Sequence, residues 1–178
     1  MNILKIMRKN LNSMVDLIKL IDEDVNYQLL YKWCSKEYIY LNFEQRKLSF
    51  LEIKEKYYKR TLSNSSINTF LIRYNKEKIG LIQYQSFKNE YGISKGIEID
   101  IFIGEESYLH KGIGRKAINL LIDKLKNENH VFVMIPLKVN VKAINCYLKI
   151  GFKIEKELIM NDTIGNKQIY LLMKKIVE

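Results

Sequence analysis

The segment Lys95-Gly96-Ile97-Glu98-Ile99-Asp100-Ile101-Phe102-Ile103-Gly104, followed across a short polar bridge by Leu109-His110-Lys111-Gly112-Ile113-Gly114, decides how this chain is read. Isoleucine alternates with Glu98, Asp100 and Phe102, which is the period-2 pattern of a strand. Glu98, Asp100 and Phe102 therefore share one face, opposite Ile97, Ile99, Ile101 and Ile103. The strand leads to a basic, glycine-bearing turn, after which Ala117, Ile118, Leu121, Ile122 and Leu125 recur at helical spacing. Glycines at a helix N-terminus leave backbone N–H groups open to an anion, so the unit is a candidate cradle for a pyrophosphate.

The flanking sequence supplies an ordered set of elements. Residues 15–20 read as a first strand, and Asp22 is placed to cap a helix carrying Val25, Leu29, Leu30 and Trp33 on one face. A second helix is expected over about residues 48–62. Residues 69–74 and 79–85, joined by a turn at 75–78, form an antiparallel hairpin. Residues 131–135 are a short apolar strand stopped by Pro136, so strand, helix and strand make a parallel crossover. Asn140 caps a short helix bearing Ala143, Ile144, Tyr147 and Leu148, Gly151 ends it, and strands at 152–158 and 168–176 follow. The expected class is mixed α/β.

Size and composition narrow the function classes. With 178 residues, 47% hydrophobic and 28% charged, the chain is expected to form one domain over 1–178, with residues 1–13 a candidate N-terminal extension. Residues 1–20 are interrupted by Lys5, Arg8, Lys9, Asp16 and Lys19, and no later window is apolar enough for a membrane span. A cytoplasmic location and no membrane partner are expected. Cys34 and Cys146 fall in predicted helices and read as free thiols, while His110 and His130 lack neighbours at ligand spacing, so no metal is expected. A net charge of +10 suits nucleic acid, a membrane surface or an anionic ligand. The lysines are scattered and not interleaved with stacking aromatics, which reads as solvated surface with no nucleic-acid partner.

Two nucleotide motifs compete for the glycine turn. Gly112-Ile113-Gly114-Arg115-Lys116-Ala117 fits the loose pattern G-x-G-x-x-A. A dinucleotide fold, however, needs its glycines directly after the strand and an acidic residue about twenty positions on. Here a bridge separates Ile103 from Gly112, and the next strand ends in Met134-Ile135-Pro136. There is no Gly-Lys-Ser/Thr for a P-loop. The pyrophosphate of an acyl-CoA is the remaining reading.

At these residues, and at Asn140, Ala143, Tyr147 and Gly151-Phe152, the chain resembles the GNAT superfamily of N-acetyltransferases over essentially its whole length. The superfamily's loop usually reads Arg/Gln-x-x-Gly-x-Gly/Ala, and Leu109 departs from it at the first place. The resemblance implies a GNAT fold: a central mixed, mostly antiparallel twisted sheet flanked by helices, with a parallel β-α-β unit that binds acetyl-CoA. It implies acetyl-CoA as cosubstrate, held by Ile101, Phe102, Ile103, His110, Lys111, Gly112, Ile113, Gly114, Arg115, Lys116, Asn140 and Ala143. Within the superfamily the chain is most similar to the aminoglycoside 6'-N-acetyltransferases, through Leu30-Tyr31-Lys32-Trp33 and the runs 99–104 and 108–114. In that subgroup the carboxylate matching Asp100 lies near the amine to be acetylated, which implies Asp100 as base. Tyr147 is implied as general acid for the departing CoA thiolate.

Trp33, Tyr38, Tyr40, Glu98 and Asp100 are candidates for the acceptor wall of a small-molecule amine. Several site candidates have a plainer alternative: core packing for Trp33 and Tyr147, helix capping alone for Asn140, loop exposure for His110, and a solvated sheet face for Asp100 and Glu98. The subgroup tends to carry Asp before the proline that follows the next strand, where this chain has Ile135 before Pro136, so a polycationic acceptor loses one anionic contact. Transfer to a polyamine, another small amine or a protein N-terminus stays open, as does a non-enzymatic nucleic-acid-binding domain.

Overall fold

Alternating apolar positions pair into one seven-stranded sheet in the order β1-β2-β3-β4-β5-β7-β6. The computed structural model describes residues 14–178, and the candidate extension at 1–13 lies outside the described residues. The elements in chain order are β1 (Val15–Lys19), α1 (Asp24–Cys34), a short α2 (Glu37–Ile39) continuing as a π turn (Tyr40–Glu44), α3 (Phe50–Thr61), β2 (Ile67–Tyr74), β3 (Glu77–Glu90) and β4 (Ile93–Ile103). A 3-10 turn (Glu106–Tyr108), α4 (Ile113–Leu125), β5 (Val131–Met134), α5 (Val141–Leu148), β6 (Lys153–Asn161) and β7 (Lys167–Ile176) follow.

All neighbouring strands are antiparallel except β4 and β5, which run parallel through the α4 crossover, as the sequence predicts. That parallel pairing is short. It holds only at Ile97 with Phe132 and Glu98 with Val133, so beyond Glu98 the two strands part and the sheet opens.

Alternation along the strands feeds a core on each face. Phe70, Ile72, Ile82, Ile97 and Ile99 pack with Ile113, Ala117, Ile118, Leu121 and Ile122 of α4 and Ile144 of α5. Leu71, Leu81 and Phe102, on the other face, pack with Tyr27, Leu30 and Trp33 of α1 and Ile53 and Tyr57 of α3. Burying a side chain of this size stabilises the fold by roughly 1.5–3 kcal/mol, which is why strand register follows the isoleucine pattern. Among the described residues no helix is long and apolar enough to cross a membrane.

Three local expectations need correction. Asp22 does not cap α1: the helix begins at Asp24 with Glu23 at the N-cap position, and Asp22 instead accepts a hydrogen bond from the Tyr27 hydroxyl at 2.9 Å. Its buried face consequently carries Asn26, Tyr27, Leu30, Trp33 and Cys34, while Val25 is exposed. The β2–β3 turn is two residues long, Asn75 and Lys76, both at positive φ (48° and 74°), with Glu77 already paired to Tyr74. That geometry matches the right-handed twist of the flanking strands, which a longer turn would not enforce. The α2 and π-turn segment was not expected, because its residues follow no helical or strand period.

Candidate active site

Where β4 and β5 separate, a cavity of about 880 Å³ opens. Its central wall is β4 from Ile99 to Ile103, and its far wall is Met134, Ile135 and Pro136 with Asn140, Ala143, Cys146 and Tyr147. One end is closed by Tyr38, Ile39, Asn42 and Phe43, and the other reaches His110, Gly112, Ile113, Gly114 and Arg115 at the start of α4.

The α4 end is a set of open donors. The first helical bond of α4 runs from the Lys116 N–H to the Gly112 carbonyl at 3.1 Å, so the amides of Ile113, Gly114 and Arg115 have no acceptor within the helix. Among the described residues no side chain caps them. Gly112 sits at φ 76°, a left-handed conformation that glycine adopts without cost. A Cβ on Gly114 would meet only the Ile101 Cδ1 at 3.9 Å, which leaves the space above that amide open. The dipole of a 13-residue helix adds to the attraction for a phosphate. Lys111 and Lys116 are exposed and absent from this lining; Lys111 lies over the Tyr108 ring, its Nζ 5.4 Å from the centroid.

Asn140 does two things at once. Its Oδ1 accepts from the Ala143 N–H at 3.2 Å, capping α5, and its side of the helix forms part of the cavity wall. Two helical turns on, Tyr147 is buried, lines the cavity, and its hydroxyl has no hydrogen-bond partner among the described residues. Burial raises its pKa, with Cys146 and Asp100 adding to the shift, so the phenol stays protonated through the neutral range.

Asp100 faces the cavity from β4, half-buried, and its Oδ2 accepts from the Gln83 Nε2 at 3.0 Å. Burial raises its pKa, and the Gln83 bond and the charges of Arg60 and Lys56 pull it back. Glu98 lies two residues earlier on the same strand face but outside the cavity lining, accepting from Gln85 Nε2 at 3.2 Å and Tyr91 Oη at 3.4 Å. Its pKa is raised by burial first and by Asp100 second.

Two acceptor-wall expectations are overturned by packing. Trp33 is fully buried, its ring against Gly104 and its indole N–H donated to the Glu105 Oε1 at 2.9 Å, so it supports the end of β4 and does not face the cavity. Tyr40 is turned away by the π turn, with the Lys47 Nζ 5.2 Å from its ring centroid. Tyr38 remains in the wall, its hydroxyl shared between the carbonyls of Gly104 at 3.0 Å and Ile103 at 3.1 Å, and burial pushes its pKa up to about 12.

Asn42, Phe43 and Cys146 are wall residues that the sequence did not single out. Phe43 stands edge-on to Phe102, with centroids 5.0 Å apart. Gln83 was also passed over, although the hairpin register places it opposite Asp100.

The comparisons with known proteins agree with this architecture. A relative in Klebsiella pneumoniae, aminoglycoside N(6')-acetyltransferase type 1, is 28% identical over 155 residues, covering 81% of this chain and 76% of the relative. Spermidine N(1)-acetyltransferase of Escherichia coli K12 is 29% identical over 119 residues, 65% of this chain and 61% of the relative. Among solved structures, aminoglycoside acetyltransferase AAC(6')-Ib in complex with coenzyme A and kanamycin superposes with a TM-score of 0.73 at 22% identity, over 92% of this chain and 95% of that one. Spermidine N-acetyltransferase from Vibrio cholerae in complex with CoA and spermine gives 0.73 at 23%, over 91% and 95%. Residues 27–152 match the acetyltransferase (GNAT) family. With that match over most of its length, on a sheet that opens at a free helix N-terminus, the chain belongs to the acetyltransferase (GNAT) family and is an N-acetyltransferase.

Proposed function

We propose that the chain transfers the acetyl group of acetyl-CoA to a primary amine, with the 6'-amine of an aminoglycoside as acceptor. The observation that carries the transfer chemistry is the placement of Asp100 and Tyr147 on two walls of one cavity whose end is the open N-terminus of α4. The amides of Ile113, Gly114 and Arg115 suit the pyrophosphate, and the uncovered edge of β4 from Ile99 to Ile103 suits the pantetheine arm, whose amides can pair with it as a partner strand would.

The reaction follows from charge. A protonated amine has no lone pair, so ionised Asp100 attracts the ammonium and takes its proton, directly or through one water. The neutral amine then attacks the thioester carbonyl carbon; the N–C bond forms, the nitrogen loses its second proton to water, which reloads Tyr147 after it has protonated the sulfur, the C–S bond breaks, and the electron pair leaves on the CoA sulfur. Tyr147 gives that thiolate a proton from a hydroxyl with no competing partner among the described residues. Its raised pKa keeps the donor loaded.

The aminoglycoside assignment rests on the named relatives. A polyamine is the second reading, favoured by the relatives that act on spermidine and by Ile135 in place of an acid beside Pro136. Family membership sets aside the non-enzymatic nucleic-acid domain. The test is free-thiol release from acetyl-CoA with kanamycin, a 6'-hydroxyl analogue and spermidine. Release with kanamycin and none with the 6'-hydroxyl analogue supports the first reading, spermidine alone supports the second, and no release with any amine overturns both.

A further inference from the structure

We infer that Arg60 is a positioning residue for Asp100, acting through the Gln83 carboxamide. Three elements meet at this relay: the last turn of α3 supplies Arg60, β3 supplies Gln83 and β4 supplies Asp100. The Arg60 Nη1 donates to the Gln83 Oε1, and the Gln83 Nε2 donates to the Asp100 Oδ2 at 3.0 Å. Neither Arg60 nor Gln83 lines the cavity, and Gln83 is 4% exposed.

The chemistry of the three groups fixes the order of the bonds. A carboxamide has one accepting and one donating end, a guanidinium only donates, and an ionised carboxylate only accepts. Arg60 therefore selects the amide orientation that turns the NH2 of Gln83 toward Asp100. Without Arg60 the amide can rotate and place its oxygen against the carboxylate. Arg60 is itself held over the Tyr57 ring, its guanidinium carbon 4.7 Å from the centroid. The relay occupies Oδ2 and leaves Oδ1, which has no partner among the described residues, to the cavity.

The other charged and titratable neighbours do not replace this path. Lys56 on α3 is paired with Glu44 of the π turn. Glu98 on β4 is a like charge, tied to Gln85 and Tyr91. Tyr147 on α5 is neutral at the pH of interest. Burial works against the ionised form of Asp100, so the Gln83 bond and the Arg60 charge hold the base ready at neutral pH.

This inference rests on the proposed role of Asp100, and the experiment separates the two. The pH profiles of kcat and kcat/KM are measured for wild type, Arg60→Met, Arg60→Lys, Gln83→Met and Asp100→Asn, with acetyl-CoA affinity measured alongside. In Arg60→Met and Gln83→Met the acid limb of kcat/KM should move up by about one pH unit. Turnover on the wild-type acid limb should fall up to about tenfold by the same conversion and recover on the plateau at higher pH, with acetyl-CoA affinity unchanged. Arg60→Lys, which keeps the charge but loses the fork, should shift the limb by less. An unmoved acid limb in any folded variant of Arg60 to Met or Gln83 to Met overturns the relay while leaving the reaction intact. Near wild-type turnover in Asp100→Asn overturns the base assignment, and the relay with it. Should Arg60→Met not fold, the near-isosteric Gln83→Met decides alone.

Discussion

The indole of Trp33 lies against Gly104 so closely that a Cβ on that glycine would fall 2.2 Å from the ring. Alanine at 104 must displace either the ring or the end of β4, and both are anchored: Trp33 by Glu105, and the Gly104 carbonyl by Tyr38 and by the Lys36 Nζ at 2.8 Å. Gly104→Ala should therefore destabilise the fold by about 1–3 kcal/mol. Urea denaturation should show the loss as a lower midpoint with an unchanged slope. A midpoint equal to wild type would mean that the indole is free to move.

Asp100→Asn should separate stability from activity. The folded-state pKa of Asp100 is raised by burial, so its favourable contribution is present below the unfolded value of 3.8 and is lost as pH rises through the folded value. Asparagine removes that loss and still accepts from Gln83. At pH 7 the variant should be at least as stable as wild type, with the difference vanishing near pH 3.5, while turnover falls about 100- to 10,000-fold. Paired urea melts and thiol-release rates check both halves.

The two loop glycines should fail in different ways. Gly112→Ala meets a positive φ and a Cβ contact of 3.2 Å with the Arg115 guanidinium, which should cost about 1–2 kcal/mol of stability. Gly114→Val meets open space and should fold normally, yet its branched side chain crowds the approach to the α4 amides and should weaken acetyl-CoA binding at least about tenfold. Calorimetric titration of acetyl-CoA distinguishes them. Wild-type affinity in Gly114→Val would remove this loop from the cofactor site.

Tyr147→Phe removes a hydroxyl that has no partner among the described residues, so its thermal midpoint should match wild type or rise. Turnover should fall about 100-fold if the phenol protonates the leaving thiolate, with KM for acetyl-CoA little changed. Parallel melting and steady-state kinetics check this, and full turnover would return Tyr147 to a purely structural role.

Much of the fold is legible because strand alternation, the Asn140 cap and the glycine at 112 are local signals. Tyr38 apart, the α2 and π-turn wall escaped the sequence because a π turn has neither period and because its position depends on distant groups. Gln45, at φ 62°, bonds to the hydroxyl of Tyr170, and the Thr163 Oγ1 donates to the Glu44 carbonyl at 3.0 Å. Trp33 and Tyr40 were misplaced for a related reason: an aromatic at helical spacing packs equally well against a core or a cavity, and only the neighbouring element decides which.

The alternating run ending in Gly104, the glycine turn at Gly112 and Gly114, and the Asn140 to Tyr147 helix set the strand faces, the crossover and the open amides of α4, because each depends on residues within one turn or one strand. Only the tertiary structure decided that β4 and β5 part after Glu98, that Asp100 and Tyr147 line the same opening, and that Arg60 reaches Asp100 through Gln83. Those relations join residues on separate elements, and they are fixed by sheet register and by the packing of α3 and α5 on opposite faces, which no single stretch of the chain contains.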